Sequence, residues 1–191
     1  VLYHVAGHAF FKSLLFVGTG AVLHATGERN LGKLGGLIRY MPWVAWLMLL
    51  GVLASAGLPP FAGFVSEWLL LQSFLFSPGL PSAFLNMLIP VVAALIALIA
   101  ALAGYTMVKF FGVIFLGQPR EERLAQAHDA SGWERLGMLW LAAGCLVLGL
   151  CPVQFIAVID PVTQLLVGAG MGDALAAGSW LLVPVAIERA S

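Results

Sequence analysis

The residues able to do chemistry are few, and they stand inside apolar stretches. His4, His8 and Lys12 recur at i, i+4 and i+8, which puts them in one stripe on one helix face. Each can give or take a proton within reach of the next, so three in line suit a proton relay. The competing reading is structural. The histidines would bond neighbouring backbone and Lys12 would snorkel to an interface, although Lys12 lies in mid-segment. Glu67 follows a helix-breaking Gly57-Leu58-Pro59-Pro60 inside a second apolar run, with Gly63 between them. A carboxylate there is costly unless solvated or paired. The proline pair frees carbonyls that only a cavity or neighbouring helices can satisfy. A break made for packing alone is the alternative, and the nearness of Glu67 argues against it. Lys109 is the lone charge of a third apolar run, with Tyr105 one turn before it. It suits a place on a proton path and snorkelling to an aqueous end equally well.

Other chemistries find no support. Cys145 and Cys151 sit six apart in an apolar run and point to different helix faces. They read as small core hydrophobes, not as a disulfide or metal pair. There is no CxxC cluster and no glycine-rich dinucleotide fingerprint. We therefore expect no metal, no cofactor and no catalytic residue, and leave open whether the whole protein counts as an enzyme. Zero net charge and the lack of a basic run argue against nucleic acid.

These residues need a membrane scaffold. The chain is 61% hydrophobic and 9% charged, against about 25% charged in soluble domains. The expected fold is all-α, a polytopic transmembrane helix bundle with one broken helix at Gly57-Pro60, embedded in a lipid bilayer. Helices are expected at about 2–24, 43–57 and 61–76 around the break, 86–117 and 136–157. Asp160-Pro161 would cap and open a short surface helix at about 161–170. Residues 43–76 as one continuous helix would measure about 50 Å, beyond a hydrocarbon core of about 30 Å, and the break resolves the excess. Residues 174–187 are apolar but too short to span. The whole, 1–191, reads as a single membrane domain that is a fragment of a longer polytopic protein.

Basic residues set the expected topology. Arg29, Lys33 and Arg39 lie in one loop, and Arg120, Arg123 and Arg135 in another two spans later. By the positive-inside rule both face the cytoplasm and the uncharged loop 77–89 faces outward. Residues 118–135 read as a solvated loop.

The string His4-Val-Ala-Gly-His8-Ala-Phe-Phe-Lys12-Ser-Leu-Leu-Phe resembles the antiporter-like membrane subunits of respiratory complex I and its relatives. So does Gly57-Leu-Pro-Pro-Phe-Ala-Gly-Phe-Val-Ser-Glu67, at the family's spacing behind it. The version ending in Glu67-Trp68 looks most like the large proton-conducting subunit of membrane-bound hydrogenase and formate hydrogenlyase complexes. The resemblance covers about the first 120 residues and implies a piece of the C-terminal half of such a subunit. That family's fold is built from two inverted repeats, each with a broken helix. The resemblance implies that Lys12 is the relay lysine, with His4 and His8 alongside. It also implies that Glu67 is the terminal ionisable residue of the second broken helix, where the family has lysine in some subunits and glutamate in others. Lys109 matches more weakly, at a position where related chains often carry a basic residue.

The implied function is proton translocation by a subunit of a redox-driven complex, of the NADH-quinone oxidoreductase or hydrogenase kind. Protons would move along a Lys/His/Glu relay at the membrane midplane. The implied partners are other membrane subunits and a peripheral redox module, and the implied location is the cell inner (plasma) membrane, as a multi-pass chain. Two alternatives stay open: a cation/proton antiporter subunit of the same superfamily, and a non-conducting membrane scaffold.

Overall fold

The structure, a computed structural model, describes residues 1–75 and 81–168. The tip of the expected outer loop (77–80) and the apolar segment 174–187 lie outside the described residues. Among those described, all regular structure is helical: α1 Leu2–Thr26, α2 Pro42–Ser55, α3 Ala62–Leu75, α4 Ala83–Phe115, α5 Gly132–Leu150 and α6 Pro152–Val167, with short 3-10 turns between some of them. The helices α1, α4 and α5 are long and apolar enough to cross a membrane. This is the all-α membrane bundle that the composition requires.

Local chemistry sets each boundary. α1 ends where Gly27 turns left-handed at φ 66° and its N–H returns to the Leu23 carbonyl. α2 starts with Pro42 in its first turn, where a missing N–H costs nothing. Its free N–H groups at Trp43 and Val44 donate to the two oxygens of Asp129, at 2.9 and 3.3 Å. Asp129 is thus a capping carboxylate supplied from a distant loop. α5 starts inside the charged segment at Gly132, not at about 136, because Ser131 and Glu134 form a reciprocal capping box. It ends at Leu150, not near 157. Pro152 cannot continue it and instead opens α6 in its first turn.

α6 then runs through Asp160 and Pro161, replacing the expected short helix at about 161–170. Asp160 is not its cap. It is buried in the middle of the helix and accepts a 2.9 Å hydrogen bond from Gln164 Nε2. α4 is also longer than expected at its start. It begins at Ala83, so the connection expected to face outward does not reach 89, and Pro90 stands inside α4.

The main core joins α1, α2, the end of α4, α5 and the polar connections, around Leu14, Met48, Phe115 and Met138. A second cluster, Phe11, Ala54, Phe61 and Cys145, sits at the gap between α2 and α3. The third joins Tyr3, Val65 and Ile156. Cys145 is therefore a core residue, as expected; Cys151 is not one, because α5 stops at Leu150 and leaves it exposed in the turn before Pro152.

The connections 27–41 and 116–131 pack on each other. Gly36 N–H donates to the Leu116 carbonyl at 2.9 Å, and Arg120 donates to the Gly32 carbonyl at 3.0 Å. Glu28 pairs with Arg123, and Lys33 lies 3.9 Å from Glu28 and 3.6 Å from Glu121. Residues 118–135 are thus more than a solvated loop. The two basic connections share one end of the bundle.

Candidate functional site

The gap between α2 and α3 is built by a Schellman-type ending. Leu58 N–H bonds the Leu53 carbonyl at 3.2 Å and Gly57 N–H bonds Ala54 at 3.3 Å. These bonds satisfy carbonyls that the end of α2 would leave open. Gly57 adopts φ 66°, a left-handed conformation that costs other L-residues energy. Pro59 and Pro60 follow, exposed, before α3 begins at Ala62. Two close approaches hold the segment in the bundle. A Cβ on Gly63 would lie 1.9 Å from the Ala54 carbonyl oxygen, so the start of α3 lies directly on the end of α2. A Cβ on Gly149 of α5 would lie 1.9 Å from the Pro60 carbonyl oxygen. Nothing larger than glycine fits at either place without moving backbone.

Glu67 sits in the second turn of α3 and is half-buried. Its carboxylate is folded back over Gly57: a Cβ there would lie 2.3 Å from Glu67 Oε2. The gap and the acid are therefore one arrangement, with the space left by Gly57 taken by the carboxylate.

α1 carries the stripe. His4 and His8 have ring centroids 5.8 Å apart, and the His8 ring meets Phe11 edge-on at 5.1 Å. His4 is half-buried and His8 exposed. His4 Nδ1 lies 2.9 Å from Ser66 Oγ on α3, which ties the stripe to the helix of Glu67. The first turn of α1 is anchored by Tyr3, whose hydroxyl donates to the Leu148 carbonyl of α5. Gly7 lets α1 approach the start of α3, where a Cβ would be 3.0 Å from the Ala62 Cβ.

Lys12, two turns beyond His4, is half-buried and lines a cavity of about 150 Å³ with Leu15, Phe16, Thr19, Met107 and Phe110. Lys109 does not line that cavity. It is exposed on α4, while its neighbours Met107 and Phe110 face Lys12. The fold thus brings together His4, His8, Ser66, Glu67, Gly57 and Gly63 around the gap, with Lys12 further along α1 and Lys109 apart.

Ser66 was not singled out from sequence. Small hydroxyl residues are common in apolar helices, and nothing local distinguishes this one. Its position beside Glu67, one turn beyond Gly63, is the signal that could have drawn attention to it.

The site stands within a recognisable protein family. The profile of the family described as "NADH:quinone oxidoreductase/Mrp antiporter, TM" matches residues 1–96. Formate hydrogenlyase subunit 3 of Escherichia coli is 41% identical over 149 residues, covering 78% of this chain and 24% of that protein. Hydrogenase-4 component B of Escherichia coli is 35% identical over 149 residues, covering 78% and 22%. The Na(+)/H(+) antiporter subunit A1 of Staphylococcus saprophyticus is 37% identical over 159 residues, covering 79% and 19%. The chain thus spans about a quarter or less of the length of these curated relatives.

Among solved structures, the membrane-bound sulfane sulfur reductase, an archaeal respiratory membrane complex, superposes with a TM-score of 0.65 at 28% identity, over 79% of this chain and 23% of the matched one. The Mrp complex of a Dietzia species shares the fold, with a TM-score of 0.62 at 23% identity, over 80% and 34%. The matched residues take in the stripe of α1, the gap and Glu67, and this chain belongs to the NADH:quinone oxidoreductase/Mrp antiporter transmembrane family.

Proposed function

We propose that this chain is part of a proton-translocating membrane subunit of a redox-driven complex. Lys12, His8 and His4 form the relay along α1, and Glu67 takes protons onward beside the gap between α2 and α3. The observation that carries this reading is the contact between His4 Nδ1 and Ser66 Oγ. It joins the titratable stripe to the residue next to a carboxylate that stands at a helix break.

The two helices around that break, 14 residues each, are short for a span. We read them as halves of one discontinuous transmembrane helix, a device that ion-handling membrane proteins place near the midplane. Charges in such a low-dielectric setting interact strongly, so each proton step biases the next. Partner membrane subunits and a peripheral redox module would supply the rest of the path and the driving energy, in the cell inner membrane. The hydrogenase-type relatives support this choice. Lys109, exposed on α4 and outside the Lys12 cavity, keeps a place on the path only through its neighbours Met107 and Phe110, which line that cavity.

A cation/proton antiporter is the second reading, favoured by the likeness to an Na(+)/H(+) antiporter subunit. Proton uptake into vesicles holding the whole complex separates the readings. Redox-driven pumping that is independent of sodium and lost in Lys12→Ala supports the first. Sodium-coupled proton flux without redox turnover supports the second. Wild-type transport of both kinds in Lys12→Ala would leave a scaffold.

A further inference from the structure

Ser66 is buried on α3, and its hydroxyl oxygen meets two groups: the Gly63 carbonyl oxygen at 2.8 Å and His4 Nδ1 at 2.9 Å. A serine hydroxyl has one proton to donate and lone pairs to accept. A carbonyl oxygen only accepts, so the contact to Gly63 uses that proton. His4 Nδ1 must then donate to Ser66 Oγ. Were neutral His4 protonated on Nε2 instead, Nδ1 and the Gly63 oxygen would compete for one proton, and one of the two contacts would cease to be a hydrogen bond.

We propose that Ser66 is a positioning residue that holds neutral His4 as the Nδ1–H tautomer, leaving Nε2 as the nitrogen that takes up and releases the relayed proton. A proton arriving at Nε2, as from His8 on the same face, makes the imidazolium, and loss of that proton restores the starting tautomer. With the opposite tautomer the arriving proton would bind Nδ1. It would then face a hydroxyl whose own proton is turned to backbone, which leads nowhere. Setting the tautomer of a working histidine through the partner of its other nitrogen is a general device. The consequence for pumping rests on the relay reading above; the tautomer does not.

The test is nitrogen NMR on isotope-labelled histidine in the full-length subunit within its complex, in lipid. His4 is assigned by its loss in His4→Gln. The wild type should show the Nδ1–H form. Ser66→Ala should lower the ratio of Nδ1–H to Nε2–H by roughly five-fold, the worth of one net hydrogen bond, and Ser66→Thr should keep it. An Nε2–H wild type, or an unchanged ratio in Ser66→Ala, overturns the assignment. Pumping measured on the same samples separates the two readings. A shifted tautomer with wild-type pumping supports the role of Ser66 and sinks the relay. Lost pumping with an unshifted tautomer does the reverse.

Discussion

The carboxylate of Glu67 fills the space that a side chain on Gly57 would occupy, with Oε2 2.3 Å from where that Cβ would stand. The two residues lie on opposite sides of the gap between α2 and α3. The left-handed φ of 66° favours a glycine at this turn, and the carboxylate takes up the space that the glycine leaves open.

Gly57→Ala should therefore do two things. It should cost about 1 kcal/mol of stability through the left-handed backbone, and it should push the Glu67 carboxylate from its place. The thermal midpoint of the assembled complex should fall by a few degrees, while proton pumping falls by a much larger factor. Loss of stability with pumping intact would show that Glu67 does not need this seat.

Glu28 gives a pH dependence. Its carboxyl is held below the ordinary carboxylate range, first by the Asn30 N–H it accepts, then by Arg123 and Lys33. A lowered folded-state pKa means that the contribution is present at neutral pH and is lost as pH falls through that lowered value. The junction between connections 27–41 and 116–131 should thus open only in acid, below the usual carboxylate value of about 4.3. Glu28→Gln should open it at neutral pH. Amide hydrogen exchange at residues 28–36 measures both. Exchange that is the same in Glu28→Gln as in the wild type would contradict the role of this pair.

The contacts across those connections also predict accessibility. Cysteines placed at Lys33 and at Gln126 should react together with a membrane-impermeant label only after cells are permeabilised, because the positive-inside rule puts both connections on the cytoplasmic side. A cysteine at Ser82 should react in intact cells. Each variant is read against the exposed native Cys151. Opposite behaviour of Lys33 and Gln126 would break the shared-side arrangement; labelling of both from outside would invert it.

How far the sequence could be read follows from the range of each interaction. Helix type, the spacing of His4, His8 and Lys12 on α1 and an interruption between α2 and α3 at Gly57-Pro60 depend on local pattern and were legible. Boundaries set by local chemistry were legible in principle. The Ser131-x-x-Glu134 box and Pro152 both stand in the sequence, yet charge at Glu134 and apolarity past Pro152 pulled both expected limits toward the C-terminus.

Long-range partners were not legible. Asp129 caps α2 from 86 residues away, and Tyr3 bonds Leu148 across 145. No local rule pairs them. The same holds for His4 with Ser66, 62 residues apart. The stripe could be seen, but not what it touches. Asp160 misled for the opposite reason. Asp-Pro is a good local start signal, and tertiary packing of Ile156 against Tyr3 and Val65 carried the helix through it.

The central claim is that Glu67 and the stripe of α1 belong to one proton path. The ratio of protons moved to redox turnover tests it most directly, measured in vesicles holding the whole complex with Glu67→Gln in this subunit. Glutamine keeps the volume beside Gly57 and removes the titration. The account predicts a complex that assembles and turns over but moves few protons through this subunit, with Lys12→Ala giving the same deficit and the double variant adding little to it. A wild-type ratio in Glu67→Gln would contradict the account.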